Sequence, residues 1–124
     1  MVVGLGVDVC DIARIRRALE RPTGERFKAR IFTPGERAYC EQRRRGRFAS
    51  YAARFAAKEA VGKALGFGVA RAFAWRDVEI AGRPKPAVRL SGRVRAWAER
   101  AGAGAIDLSM SHSRELATAV AVVE

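Results

Sequence analysis

Histidine, cysteine and acidic side chains are all scarce in this chain of 124 residues. The one histidine is His112, and the two cysteines, Cys10 and Cys40, stand far apart with no CxxC between them. A zinc site therefore lacks its usual nitrogen and sulfur ligands. Two isolated cysteines do not make a disulfide framework, so both are expected to be free thiols. Aromatic residues make up 8% of the chain, without the repeated pattern of a single-strand nucleic-acid platform. No apolar run approaches the roughly 18–20 residues that a membrane span needs, so no membrane is expected. The opening stretch from Met1 to Asp8 lacks the positive region and cleavage site of a secretory signal. The expected compartment is the cytoplasm.

Nearly half of the residues are hydrophobic (49%), which suits a folded protein. The length suits one domain, residues 1–124, around one modest core. The formal net charge is +11, from 24 basic and 13 acidic residues. Such a surface attracts polyanions: nucleic acid, a phosphorylated small molecule or an acidic protein. The basic residues are spread along the chain, so there is no basic tail.

Alternation of Val3, Leu5 and Val7 with Gly4, Gly6 and Asp8 predicts a strand over 2–8, with glycines that permit close backbone approach. Asp11 is placed to cap a helix over 12–20, with Ile12, Ile15 and Leu19 on its buried side. A short helical piece over 25–30 follows the break at Pro22-Thr23-Gly24. Thr33-Pro34-Gly35-Glu36 combines a cap, Pro at the first helical position and Glu at the third, which predicts a helix to about Gln42. Arg43 to Arg47 reads as an exposed basic turn. A long helix over 48–65 ends at Leu65-Gly66-Phe67-Gly68. Trp75–Ile80 and Ala87–Leu90 read as a hairpin around a turn at 82–86. Ser91 is expected to cap a helix over 92–102. Strands beginning at Ile106 and spanning 116–123 close the chain. Trp75 and Trp97 read as core residues. The sum is an α+β domain, a mostly antiparallel sheet packed with about four helices.

The long helix carries a chemical anomaly. Tyr51, Phe55 and Glu59 step by four and share a face, which Phe48, Ala52 and Ala56 broaden into an apolar stripe. A carboxylate on such a stripe needs a partner. Lys63, one turn on, offers an i,i+4 ion pair, and a metal ion is the other candidate. Asp8, at the end of the first strand, could supply a second carboxylate. Two carboxylates without nearby nitrogen or sulfur suit a hard cation such as Mg²⁺, which commonly binds together with substrate phosphates. The plainer alternative makes Asp8 a turn cap and Glu59–Lys63 a helical ion pair. His112 continues the register of Ile106, Leu108 and Met110, so it reads as a core or sheet-end residue. A Ser–His nucleophile pair is disfavoured because adjacent strand residues point to opposite faces. Contact with a phosphate fits better. Arg14, Arg17 and Arg21 fall on one helix face without a carboxylate beside them, as a solvated face or as a docking surface.

Three segments together resemble one family. Gly6-Val7-Asp8-Val9-Cys10-Asp11-Ile12 is similar to the G-x-D-x-x-[DE]-[IL] motif of bacterial holo-[acyl-carrier-protein] synthases. Arg54-Phe55-Ala56-Ala57-Lys58-Glu59-Ala60, with Lys63-Ala64, resembles that family's R-[FW]-[AC]-x-K-E-[AS]-x-x-K-A motif. Ser109-Met110-Ser111-His112-Ser113 resembles its late S-x-S-H-[ST] motif. The order and the chain length also match the small single-domain type.

The resemblance implies the 4′-phosphopantetheinyl transferase fold and transfer of phosphopantetheine from coenzyme A to a serine of apo-acyl carrier protein, releasing adenosine 3′,5′-bisphosphate. It implies a homotrimer with active sites at subunit interfaces. Asp8 and Glu59 would hold Mg²⁺, and Glu59, directly or through a metal-bound water, would help remove the serine proton. Lys63 would stabilise the leaving phosphate. Ser111 and His112 would contact the nucleotide portion of coenzyme A, and Pro86 with the 82–86 turn would border the adenine. Arg14, Arg17 and Arg21 would dock the acidic carrier, whether of fatty acid or polyketide synthesis. A basic nucleic-acid-binding protein is the alternative, resting on the net charge and Arg43 to Arg47. It lacks a helix-turn-helix signature or zinc motif, so no nucleic-acid partner is expected. A non-catalytic adaptor for acidic proteins shares the basic face but leaves Asp8 and Glu59 without a task.

Overall fold

A computed structural model describes residues 1–67, 74–82 and 85–124. The chain opens with β1 (Gly4–Asp11), followed by three helices, α1 (Ile12–Glu20), α2 (Gly24–Ile31) and α3 (Pro34–Gln42). A 3-10 turn at Arg44–Gly46 leads into the long α4 (Arg47–Leu65). A second 3-10 turn, Trp75–Asp77, precedes the hairpin of β2 (Val78–Ala81) and β3 (Ala87–Leu90). Helix α5 (Gly92–Arg100) and strands β4 (Ile106–His112) and β5 (Leu116–Val123) complete the order. The architecture is α+β, as expected. The helical content is higher than expected, because the short piece near residue 25 is a full helix, which makes five α-helices among the described residues.

The main sheet runs β1-β5-β4 and is antiparallel throughout, with Asp8 opposite Ala119 and His112 opposite Ala117. β2 and β3 form a separate antiparallel pair. Helix α4 lies across the inner face of the main sheet. That face is built from small residues: Gly4 and Gly6 on β1, and Ala117, Ala119 and Ala121 on β5. The facing helix supplies Ala53, Ala56, Ala57, Ala60 and Ala64. A Cβ at Gly6 would overlap the Ala60 carbonyl oxygen, and one at Gly4 would overlap that of Ala64. Glycine is required here by close approach, not by a turn. Because side chains alternate along a strand, the apolar row Leu5, Val7 and Val9 faces outward, at 65%, 56% and 56% exposure.

Local capping follows the sequence in part. Asp11 caps α1 by accepting from the Ala13 and Arg14 amides. Thr33 and Glu36 form the expected capping box of α3. Gly66, in the left-handed region, ends α4 with its amide on the Gly62 and Lys63 carbonyls; Gly68 and the 83–84 part of the hairpin turn lie outside the described residues. Ser91 occupies the cap position of α5 but makes no side-chain cap bond. Asp77, from the 3-10 turn, caps that helix instead, accepting from the Arg93 and Val94 amides at 2.8 and 3.3 Å. That turn also delays the hairpin, so β2 begins at Val78 and not at Trp75. Trp97 is 37% exposed, not core, with its Nε1 donating to the Leu65 carbonyl.

Candidate active site

Helix α4 is buried on nearly every side, so its charges are not confined to one stripe. Lys58, fully buried, and Arg54, at 7% exposure, are its most enclosed charges, whereas Glu59 is half-buried. Glu59 stands beside Asp8 of β1. Burial and the Asp8 charge hold its carboxyl above the usual glutamate value, while Lys63 and Arg14 act in the opposite direction. Lys63 does not close an ion pair with Glu59. Its ammonium donates across the interface to the Asp8 carboxylate and to the Val7 carbonyl, both at 3.1 Å. The glycines of β1 bring the helix close enough for this.

The donor set suits Mg²⁺. Both groups are carboxylates, they repel one another in a half-buried setting, and a hard cation would relieve that repulsion. The neighbouring Cys10 thiol is pushed up to about 11, first by burial and then by Asp8 and Glu59. Among the described residues no group of three or more His, Cys, Asp and Glu side chains gathers. Asp8 and Glu59 alone would leave most coordination positions to water and substrate oxygens, the habit of Mg²⁺.

Arg14, Arg17 and Arg21 line one cleft of about 470 Å³ with Cys10, Phe27 and Phe55. None of the three has a carboxylate within ion-pair distance among the described residues, and all are exposed. Their field reaches the carboxylate pair through Arg14. The basic cleft is lined by Cys10 of β1 and Phe55 of α4, the elements that carry Asp8 and Glu59.

Pro86, Ser111 and His112 meet in a different cleft, of about 250 Å³, on the α4–β4 side of the molecule. His112 ends its strand in solvent, as a sheet-end residue. Two residues that the sequence motifs do not single out as ligands, Arg43 and Arg54, line the same cleft. Arg54 is buried, and among the described residues no carboxylate lies within ion-pair distance of it. Its guanidinium lies over the Tyr39 ring at 4.0 Å and donates to the Ser50 hydroxyl at 3.0 Å, while its Nε has no hydrogen-bond partner. A buried cation without a counter-anion, opening on a cleft with a second arginine and a histidine, suits an anionic ligand. The motif places Arg54 five residues before Glu59, but periodicity cannot show that it is enclosed. Among the described residues, the cleft of Pro86, Ser111 and His112 includes neither Asp8 nor Glu59, so the carboxylate pair and the His112 cleft stand as two groups on one chain.

The chain matches the 4′-phosphopantetheinyl transferase superfamily over residues 4–121. It belongs to that family. It is 47% identical to the holo-[acyl-carrier-protein] synthase of Methylobacterium sp. (strain 4-46), with 100% of this chain and 95% of the relative covered. It is 45% identical to that of Ruminiclostridium cellulolyticum, covering 96% and 90%. Among solved structures, the Neisseria meningitidis holo-[acyl-carrier-protein] synthase superposes with a TM-score of 0.87 at 34% identity, over 100% of this chain and 99% of that one. The Helicobacter pylori enzyme, solved in complex with coenzyme A, gives 0.83 at 30% identity, over 97% and 99%. The chain is therefore an enzyme of the phosphopantetheinyl transferase class with that family's α+β fold. No described helix is long and apolar enough to cross a membrane.

Proposed function

We propose that this enzyme transfers 4′-phosphopantetheine from coenzyme A to a serine of an apo-acyl carrier protein, with Mg²⁺, releasing adenosine 3′,5′-bisphosphate. The observation that carries the reading is the Asp8–Glu59 pair, side by side between β1 and α4 within the field of Lys63 and Arg14. Two adjacent carboxylates do not suit a nucleic-acid backbone, but they do suit a cation shared with a pyrophosphate.

Bound Mg²⁺ would neutralise charge on the pyrophosphate and hold it for in-line attack. Asp8 and Glu59 would hold that ion. The serine hydroxyl of the carrier attacks phosphorus, its proton passes to Glu59, and the pyrophosphate P–O bond breaks toward the bisphosphate. Lys63 places its ammonium beside Asp8 and stabilises charge on the leaving phosphate. His112 and Ser111, with Arg54 added, hold the nucleotide phosphate, and Pro86 borders the adenine. Arg14, Arg17 and Arg21 dock the acidic carrier and steer its approach.

The separated half-sites and the outward row Leu5, Val7 and Val9 support a homotrimer with active sites at subunit interfaces, where one chain's carboxylates meet the next chain's His112 cleft. The single domain of residues 1–124 and its two buried, unpaired cysteines support action in the cytoplasm, in fatty acid synthesis. The test is transfer from coenzyme A to apo-carrier with Mg²⁺ and with EDTA. Transfer that needs the metal is expected; no transfer to the cognate carrier in Mg²⁺ would refute the proposal.

A further inference from the structure

The most enclosed charges in the molecule are not in either half-site. Lys58 is fully buried and Glu36, at 1% exposure, meets it at 2.7 Å. All three ammonium protons of Lys58 find an acceptor: the Glu36 carboxylate, the Trp75 carbonyl at 3.0 Å and the Val78 carbonyl. Glu36 is equally engaged. One oxygen accepts the Thr33 amide at 2.9 Å, and the other accepts the Ile80 amide at 2.7 Å. Five bonds therefore converge on one buried point, joining α4, the start of α3, the 3-10 turn and β2.

Burial lowers the Lys58 pKa, and Glu36 offsets that burial. A buried ion pair of this kind is weak evidence for stability, since apolar residues of similar volume commonly do as well. Its distinguishing property is direction. The faces of α4 that meet the main sheet are alanine and glycine, which offer few large side chains to resist rotation about the helix axis. Successive helical residues stand about 100° apart, so a pinned Lys58 sets where Glu59 points. The same ammonium seats the turn whose Trp75 ring stacks on Phe55, at 5.0 Å between centroids, one helical turn before Glu59. The strand that follows leads into the hairpin that carries Pro86.

We propose that the Lys58–Glu36 pair is a positioning device for the transfer reaction: it fixes the rotation of α4 that presents Glu59 and the seat of the hairpin that presents Pro86. It thereby sets the relation of the carboxylate pair to the nucleotide cleft. This inference rests on the proposed coenzyme A chemistry of the two half-sites.

The experiment compares the wild-type enzyme with Lys58→Met/Glu36→Gln, which removes both charges and leaves no lone buried charge, while the Trp75 and Val78 carbonyls and one of the Thr33 and Ile80 amides lose their partner. Melting temperature, steady-state transfer and calorimetric binding of adenosine 3′,5′-bisphosphate are measured on each. The double variant is expected to melt several degrees below the wild type because of those unpaired backbone groups, and, while still folded at the assay temperature, to lose about tenfold in kcat and to raise KM for coenzyme A about tenfold, because small misplacements of reacting groups are costly. KM for the apo-carrier, which docks on the α1 arginines, is expected to hold. A folded double variant with wild-type kcat, KM and bisphosphate affinity would overturn the positioning role. Should that variant not fold, Glu36→Gln alone, which conserves volume, is read by the same criteria. A wild-type enzyme that shows no transfer would instead overturn the proposed function itself.

Discussion

Lys63 reaches across from α4 to the Asp8 carboxylate of β1 at 3.1 Å, and it makes no ion pair with Glu59, one turn earlier on its own helix. An i,i+4 Glu–Lys arrangement ordinarily pairs on a helix surface. Here the close approach permitted by Gly4 and Gly6 presents a second carboxylate, and the ammonium takes it. Glu59 is left beside Asp8 with its pKa raised, a repulsion that a bound cation would relieve.

That electrostatic tension is measurable without turnover. A carboxylate whose native pKa is raised binds its proton more tightly folded than unfolded. Its contribution to stability is present below the unfolded pKa and is lost as pH rises through the native one. In EDTA at neutral pH, Glu59→Gln is therefore expected to melt a few degrees above the wild type, with the gap closing near pH 4. Added Mg²⁺ should narrow the gap at neutral pH by stabilising only the wild type. The same variant is expected to lose transfer about 100-fold or more, the usual scale of a lost acid–base group. Thermal melts at each pH and a transfer assay check both.

The contact between β1 and α4 is sensitive to one methyl group. Gly6→Ala forces a Cβ onto the Ala60 carbonyl oxygen, which is backbone and cannot swing away. The variant is expected to lose about 3 kcal/mol of stability, at the upper end of overpacking penalties, or to fold with α4 displaced. Urea titration gives the loss. A displaced helix would also separate Asp8 from Glu59 and show as loss of transfer.

Charge on the α1 cleft should act on encounter and not on chemistry. Arg14→Ala/Arg17→Ala/Arg21→Ala is expected to raise KM for the apo-carrier about tenfold and to flatten its dependence on salt, with kcat at saturating carrier little changed. Rates measured from low to physiological ionic strength decide it. A wild-type salt profile would remove these residues from docking.

Arg54 offers a test of the nucleotide cleft. Arg54→Met keeps much of the side-chain volume over Tyr39 and removes the buried guanidinium. Affinity for adenosine 3′,5′-bisphosphate is expected to fall about tenfold, in the range of a lost charge-assisted hydrogen bond. Calorimetry on the folded variant measures it directly.

Much of the local structure was legible in the sequence. Asp11 and the Thr33/Glu36 box announce their helices because capping acts within four residues. The alternation on β1 marks the strand and its close approach, since only glycine admits a helix backbone there. Other features depend on residues distant in the chain. Asp77 caps α5 from another element, Lys58 finds Glu36 across the core, and Lys63 prefers Asp8 to Glu59. Local periodicity cannot see such partners, because a helix position specifies a face but not what packs against it.

The sequence by itself determined most of the elements, the caps of α1 and α3, the family and the identity of the charged residues around Glu59. It did so because propensity, capping and motif spacing are properties of neighbouring residues. The tertiary structure alone decided which face of β1 turns inward, which cation is buried and which is paired, and how the functional residues divide into two half-sites. Those outcomes are set by packing small residues of the sheet against small residues of α4, an approach close enough to bring Asp8 to Glu59 and Lys63.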